Sequence, residues 1–124
     1  MTARLVIRGR LPGLNEYVDA ERGHRQKGAR LKRETQAAVC MAIRTQLRGV
    51  RFDKPVRMHY VWIERDKRRD KDNICGYGRK VIQDALVQCK VLKNDGWGEI
   101  IGFADDFAVD KKAPRVEVLI SDEV

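Results

Sequence analysis

Residues 56–64 read VRMHYVWIE, and this stretch decides the fold. Large apolar side chains stand at every second position from Val56 to Trp62, with Arg57 and His59 between them. Strict alternation over this length predicts a strand that buries one face and leaves the other polar. We therefore expect a central strand here and place the remaining elements around it.

The segments on either side of this strand carry helical periodicity. Residues 25–48 predict a long helix because apolar side chains recur every four residues along it, at Val39, Ile43 and Leu47. After a charged loop over 65–71, residues 73–90 predict a second long helix. Asn15 is expected to cap a short helix that ends near Arg22.

Three further strands are predicted, at 4–8, 99–109 and 115–120. Strands and helices do not alternate strictly, which favours an α+β fold over a doubly wound one. We expect one domain over residues 1–124, with a small mixed or antiparallel sheet of about four strands. The two long helices are expected to pack on one face of that sheet, and Trp97 and Phe103 are expected in the core rather than at an interface.

The composition excludes several classes of protein. Hydrophobic residues make up 43% of the 124 residues, which is typical of a globular domain. No apolar run approaches the roughly 20 residues that a membrane helix needs, and the first residues do not resemble a signal peptide. Three cysteines without a closely spaced pair make a disulfide framework or zinc ribbon improbable. A cytoplasmic protein with no membrane partner is the expectation.

The net charge of +8 is distributed unevenly. Residues 1–51 hold twelve Lys or Arg against four Asp or Glu, whereas residues 52–124 hold fourteen of each kind. A one-sided basic surface is typical of proteins that bind a polyanion such as DNA. A solvated basic helix without a ligand would give the same pattern.

An unusual set of charged residues follows the central strand. Asp70 and Asp72 stand two apart before the second helix, Lys80 lies four residues before Asp84, and Asp95 follows in a turn. Carboxylates are hard oxygen ligands that suit Mg²⁺. The alternatives are an Asp-rich solvated turn and an ordinary helical ion pair between residues 80 and 84.

The order and spacing of these residues resemble the core motif of the RusA family of Holliday-junction resolvases. That motif runs Asp-x-Asp-Asn, a lysine, Asp-Ala-Leu four residues later and an acidic pair eleven residues beyond. The matching segments here are Asp70-Lys71-Asp72-Asn73, Lys80, Asp84-Ala85-Leu86 and Asn94-Asp95. Residues 11–17 and 28–32 also resemble the phage and prophage branch, so the resemblance covers nearly the whole chain.

The resemblance implies a Mg²⁺-dependent homodimeric endonuclease of DNA recombination and repair, in which Mn²⁺ can replace Mg²⁺. It implies that the enzyme nicks four-way junctions symmetrically. It assigns metal binding to Asp70, Asp72 and Asp95 and an essential basic role to Lys80, and these four are the expected catalytic residues. It assigns no firm role to Asp84.

Two features depart from the family pattern. Four additional residues separate Asn73 from Lys80, and Asn94 replaces the first acid of the acidic pair. A catalytically impaired protein that binds branched DNA is therefore an alternative function, as is a metal nuclease acting on other branched DNA. In each case we expect backbone phosphates to contact a basic set, namely Arg30, Lys32, Arg33, Lys67, Arg68 and Arg69.

Overall fold

Three helices and a four-stranded sheet make up the computed structural model, which describes residues 1–123. In chain order the elements are β1 (Thr2–Arg8), α1 (Leu14–Gly23), α2 (Arg25–Gln46), β2 (Val56–Glu64), α3 (Lys71–Gln88), β3 (Ile100–Val109) and β4 (Arg115–Ser121). The predicted α+β fold is confirmed, and the central strand has the predicted bounds. The other predicted ends either match the structure or differ by one or two residues.

The four strands lie in the order β1-β4-β2-β3. β2 pairs in parallel with β3 and antiparallel with β4, while β1 pairs antiparallel with β4. The sheet is therefore mixed, as predicted, and β3 is one of its two edges. The face of β2 that carries Tyr60 and Trp62 is fully buried beneath the helices.

α3 begins earlier than the sequence indicated because the loop after β2 is shorter. Asp70 is the N-cap in extended conformation, and the backbone N–H of Ile74 closes the first helical turn on the Asp70 carbonyl. Asn15 does not cap α1, since that position belongs to Gly13. Its backbone N–H instead donates to the side-chain oxygen of Asn73 on α3, at 2.8 Å.

Two glycines let α3 lie close to its neighbours. A Cβ on Gly78 would stand 2.8 Å from the ring of Trp62, so only glycine allows this approach to the sheet. A Cβ on Gly76 would stand 3.3 Å from a methyl group of Leu14, which is partly exposed. Gly78 is thus required by packing against β2, whereas Gly76 faces Leu14 of α1 at a distance that an alanine could nearly fit.

The expectation that Trp97 and Phe103 belong to the core is wrong. Trp97 is 99% exposed and Phe103 is 48% exposed. Both lie at or just before the edge strand β3, where the helices give only partial cover. The Phe103 ring still packs against Tyr60 and the guanidinium of Arg79 on α3. Within residues 1–123, no helix has the length and hydropathy needed to cross a bilayer.

We predict that Gly78→Ala lowers the free energy of unfolding by about 1 to 3 kcal/mol, because the added methyl group must displace the buried Trp62 ring. Gly76→Ala is the matched control. Its methyl group meets only Leu14, and the gain in helix propensity of up to about 1 kcal/mol offsets the crowding. Urea unfolding of both variants measures the difference, and equal values would contradict the close contact.

Candidate active site

A buried ion pair fixes the chain between β2 and α3. Arg69 donates from Nε and Nη2 to the two carboxylate oxygens of Glu64, each at 2.8 Å. Its Nη1 donates to the carbonyl oxygen of Leu11 at 3.1 Å. The side chains of Arg69 and Glu64 are only 11% and 9% exposed. A bidentate, buried pair of this kind holds the loop in one path.

This path presents Asp70 and Asp72 at the start of α3. The Asp70 side chain does not cap its own helix, and Asp72 lies in the first turn. Among residues 1–123, neither carboxylate takes part in a hydrogen bond or an ion pair, although Arg69 and Lys71 adjoin Asp70 in sequence. The other acids of that range all have a polar or cationic partner, except Asp19 and Glu99.

Both carboxylates line an open cleft of about 930 Å³. Lys67 and Lys71 lie along the same cleft, and Phe107 and Val109 form its apolar wall at the end of β3. The Lys71 ammonium stands 5.5 Å from the centre of the Phe107 ring. The cleft therefore combines free carboxylates, cations and an exposed apolar surface beside an edge strand.

Lys80 and Asp95 form a separate cluster on the exposed side of α3. Lys80 Nζ lies 3.1 Å from Asp84 Oδ1 and 3.3 Å from Asp95 Oδ2. Lys32 on α2 also contacts Asp84, at 3.4 Å. The hydrogen bond to Asp84, together with the nearby Asp95 carboxylate, raises the pKa of Lys80. Lys80 is therefore a cation held between two carboxylates, and the ion-pair alternative for residues 80 and 84 is confirmed.

A single chain does not bring the three predicted metal ligands together. Eight residues separate Asp72 from Lys80 along a regular helix, which corresponds to about 12 Å and a rotation of roughly 80°. Asp95 contacts Lys80, not the start of the helix. In the part of the chain that the structure describes, no three Asp, Glu, His or Cys side chains form a group able to hold a metal ion.

The predicted DNA-binding residues fall into three groups. Arg69 is buried against Glu64, so its assignment to phosphate binding is corrected to a structural role. Arg30, Lys32 and Arg68 contact carboxylates at the surface. Arg33 and Lys67 make no ion pair within residues 1–123, and each lines a surface cleft.

Sequence reasoning missed Glu64 and Lys71. The signal for Glu64 was present, because it continues the buried alternation of β2 after Trp62 and a buried carboxylate requires a partner. That the partner is Arg69, across a turn, depends on the loop's path and not on spacing. The charged run in the sequence predicts that Lys71 ends a loop, whereas it begins α3 and lines the cleft.

Comparison with known proteins assigns no family to this chain. No family model matches the sequence, and a search among curated proteins finds no match. The RusA-like interpretation therefore stays a prediction that rests on the motif and on the geometry of the site.

We predict that Arg69→Ala lowers the free energy of unfolding by about 3 kcal/mol, because it leaves the Glu64 carboxylate buried without a partner. Arg68→Ala is the control, since Arg68 is exposed and its contact with Asp66 is 3.7 Å long, so a change within about 0.5 kcal/mol is expected. Chemical denaturation compares the two. Similar losses would show that the buried pair does not hold the loop.

Proposed function

We propose that this protein is a Mg²⁺-dependent endodeoxyribonuclease that resolves four-way DNA junctions. The observation that supports the proposal best is the pair of unpartnered carboxylates, Asp70 and Asp72, in a cleft that also holds Lys67 and Lys71. In a protein with a strong excess of cations, carboxylates left without partners beside lysines are available to a ligand. The RusA-like motif places its metal ligands at these same two positions.

The residues present fit a Mg²⁺ ion. Mg²⁺ is commonly bound through one or two carboxylates, with water molecules and substrate phosphate oxygens completing its coordination. Asp70 and Asp72 supply two carboxylates that no other side chain in residues 1–123 neutralises. When bound, the ion would activate a water molecule and offset charge on the scissile phosphate.

The remaining groups of the cleft would position the DNA backbone. Lys67 and Lys71 would attract a phosphate to the cleft wall. The N-terminus of α3 points its free backbone N–H groups toward the same region, and its dipole favours a phosphate there. These contacts orient the backbone without reading bases, which suits a nuclease that recognises branch structure.

The edge strand β3 supports the homodimer. Its outer side has no strand partner in the part of the chain that the structure describes, and it exposes Ile101, Phe103 and Val109 along its length. A long apolar edge strand is normally covered or paired with another chain. A second copy that pairs its β3 antiparallel with this β3 gives a two-fold dimer. In such a dimer both chains contribute the same surface to the interface.

This two-fold pairing would also complete the metal site. Antiparallel pairing lays the start of one β3 against the end of the other. The turn before β3 carries Asp95 and Trp97, while the end of β3 forms the wall of the cleft with Asp70 and Asp72. The partner's Asp95 would therefore approach the two carboxylates. The partner's Lys80 would lie close by, because it forms an ion pair with that Asp95. Such sharing accounts for three acids that do not meet within one chain.

A second basic surface would hold the arms of the junction. At the bend between α1 and α2, an open cleft of about 570 Å³ is lined by His24, Lys27, Arg30 and Arg33. Lys27 and Arg33 make no ion pair within the described part of the chain. Backbone phosphates would bind these side chains through charge alone, so affinity should fall steeply with added salt.

We predict that Asp72→Asn reduces Mg²⁺-dependent junction nicking at least about 100-fold, because the amide is a poorer metal ligand than the carboxylate. Asp19→Asn is the matched control, since Asp19 is also exposed and unpartnered but lies on α1. Nicking of a labelled four-way junction measures both variants. Undiminished cutting by the Asp72 variant would contradict the assignment.

Two further measurements separate the alternative functions. Junction binding that persists in EDTA, without product in either Mg²⁺ or Mn²⁺, would identify a binding protein that lacks catalysis. Equal cleavage of four-way, three-way and flap substrates would identify a nuclease for branched DNA in general. The proposal expects cutting of the four-way junction to be preferred.

We predict that two inactive variants restore activity when they are mixed. If the partner supplies Asp95, a heterodimer of Asp72→Asn and Asp95→Asn chains contains one intact site and one site that lacks both carboxylates. Co-refolded chains should therefore nick one strand of each junction, without the paired cut of the unaltered protein. Each variant alone should remain inactive.

A mixture that stays inactive, while size measurements show that heterodimers form, would place all three acids in one chain and overturn the shared site. A mixture of the Asp70→Asn and Asp72→Asn variants is the control. Those two residues lie on the same chain in each site, so no intact site arises and no activity should return.

A further inference from the structure

Two cysteines meet where α2 packs against the end of α3. The Cys89 thiol lies 3.9 Å from the carbonyl oxygen of Cys40, and the Cys40 thiol lies 4.0 Å from the carbonyl oxygen of Ala85. Burial, together with the neighbouring Cys89 side chain, raises the pKa of Cys40 to about 11. A side-chain hydrogen bond of 2.6 Å between Gln36 and Gln88 holds the two helices together nearby.

The two thiols differ in access to solvent. Cys40 is buried in the core, whereas Cys89 is partly exposed. Cys89 lines a surface cleft of about 300 Å³ together with Arg44 and Arg48. That volume exceeds several-fold the roughly 30 Å³ that a water molecule occupies in the liquid, so a small oxidant can reach the Cys89 sulfur.

We propose that Cys40 and Cys89 are a redox modification site that closes to an intrachain disulfide on exposure to a hydroperoxide. The hydroperoxide first oxidises Cys89 to a sulfenic acid and is itself reduced to water or an alcohol. The Cys40 sulfur then attacks the sulfur of Cys89, the S–S bond forms, and the sulfenic oxygen leaves as water with the thiol proton of Cys40. Two thiols and one peroxide thus give one disulfide.

The bond would connect the middle of α2 to the end of α3. It would close a loop that contains the end of α2, β2 and all of α3. A cross-link across such a loop restricts the unfolded chain more than the folded one. Oxidation should therefore stabilise the fold, and it requires neither a metal nor DNA, so its failure would leave the proposed nuclease activity untouched.

The test treats the folded protein with hydrogen peroxide and then blocks the remaining thiols with an alkylating reagent. We expect a loss of two hydrogen atoms in the intact mass, a cross-linked peptide containing Cys40 and Cys89, and one alkylated thiol at Cys75. The melting temperature should rise by roughly 5 to 15 °C and return to its original value after reduction.

Cys75→Ser is the matched control and should behave as the unaltered protein does, since Cys75 lies about 21 Å along α3 from Cys89. Cys89→Ser should form no disulfide. Cys40→Ser should retain the sulfenic acid on Cys89, where a dimedone probe captures it. A sulfinic or sulfonic acid at Cys89 in the unaltered protein, or a bond only between two chains, would overturn the proposal. Peptide mapping of the unaltered protein decides this even if a variant fails to fold.

Discussion

The buried ion pair between Glu64 and Arg69 is the interaction on which the candidate site depends. It joins the last residue of the central strand to the residue before the N-cap of α3. Through the Leu11 carbonyl oxygen, the same guanidinium also fixes the segment that leads into α1. Because both charges are removed from water and satisfy each other, the loop cannot shift without exposing an unpaired charge to the core. This ion pair therefore fixes the positions of Asp70 and Asp72.

The distribution of charge partners separates two kinds of acid in this protein. Asp84 and Asp95 share Lys80 and form part of the structure that holds α3 to its surroundings. Within residues 1–123, Asp70 and Asp72 have no partners, and they lie at the mouth of a cleft that ends on the edge strand β3. That arrangement leaves both carboxylates available to a cation, and it connects the chemistry of the site to an edge of the sheet that a second chain could cover.

Much of the fold follows from local patterns in the sequence. The alternation from Val56 to Glu64 predicts β2 to the residue, and the four-residue repeat through Val39 and Ile43 predicts α2 to within two residues. The exposure of Trp97 was not predictable in this way. Whether an aromatic side chain is covered depends on the order of strands in the sheet. The spacing of apolar residues along the sequence does not predict that order.

The site was predicted in part. The motif located Asp70, Asp72 and Lys80, and the structure places the first two in one cleft. The resemblance implied that Asp95 would join them, but a helix separates points along its axis by a fixed rise, and Asp95 contacts the middle of α3. The burial of Arg69 was equally unpredictable from the sequence, because a loop of five residues has no periodicity that shows which side chains turn inward.

The central claim is that Asp70 and Asp72 form the first binding site for a divalent cation. Titration of Mn²⁺ into isotope-labelled protein, followed by paramagnetic broadening of the backbone amide signals in NMR spectra, tests this claim most directly. The account predicts that signals from residues 69–73 broaden first, at Mn²⁺ concentrations well below that of the protein. Earlier broadening around Asp84 and Asp95, or equal broadening at the exposed acids Asp19 and Glu123, would contradict it.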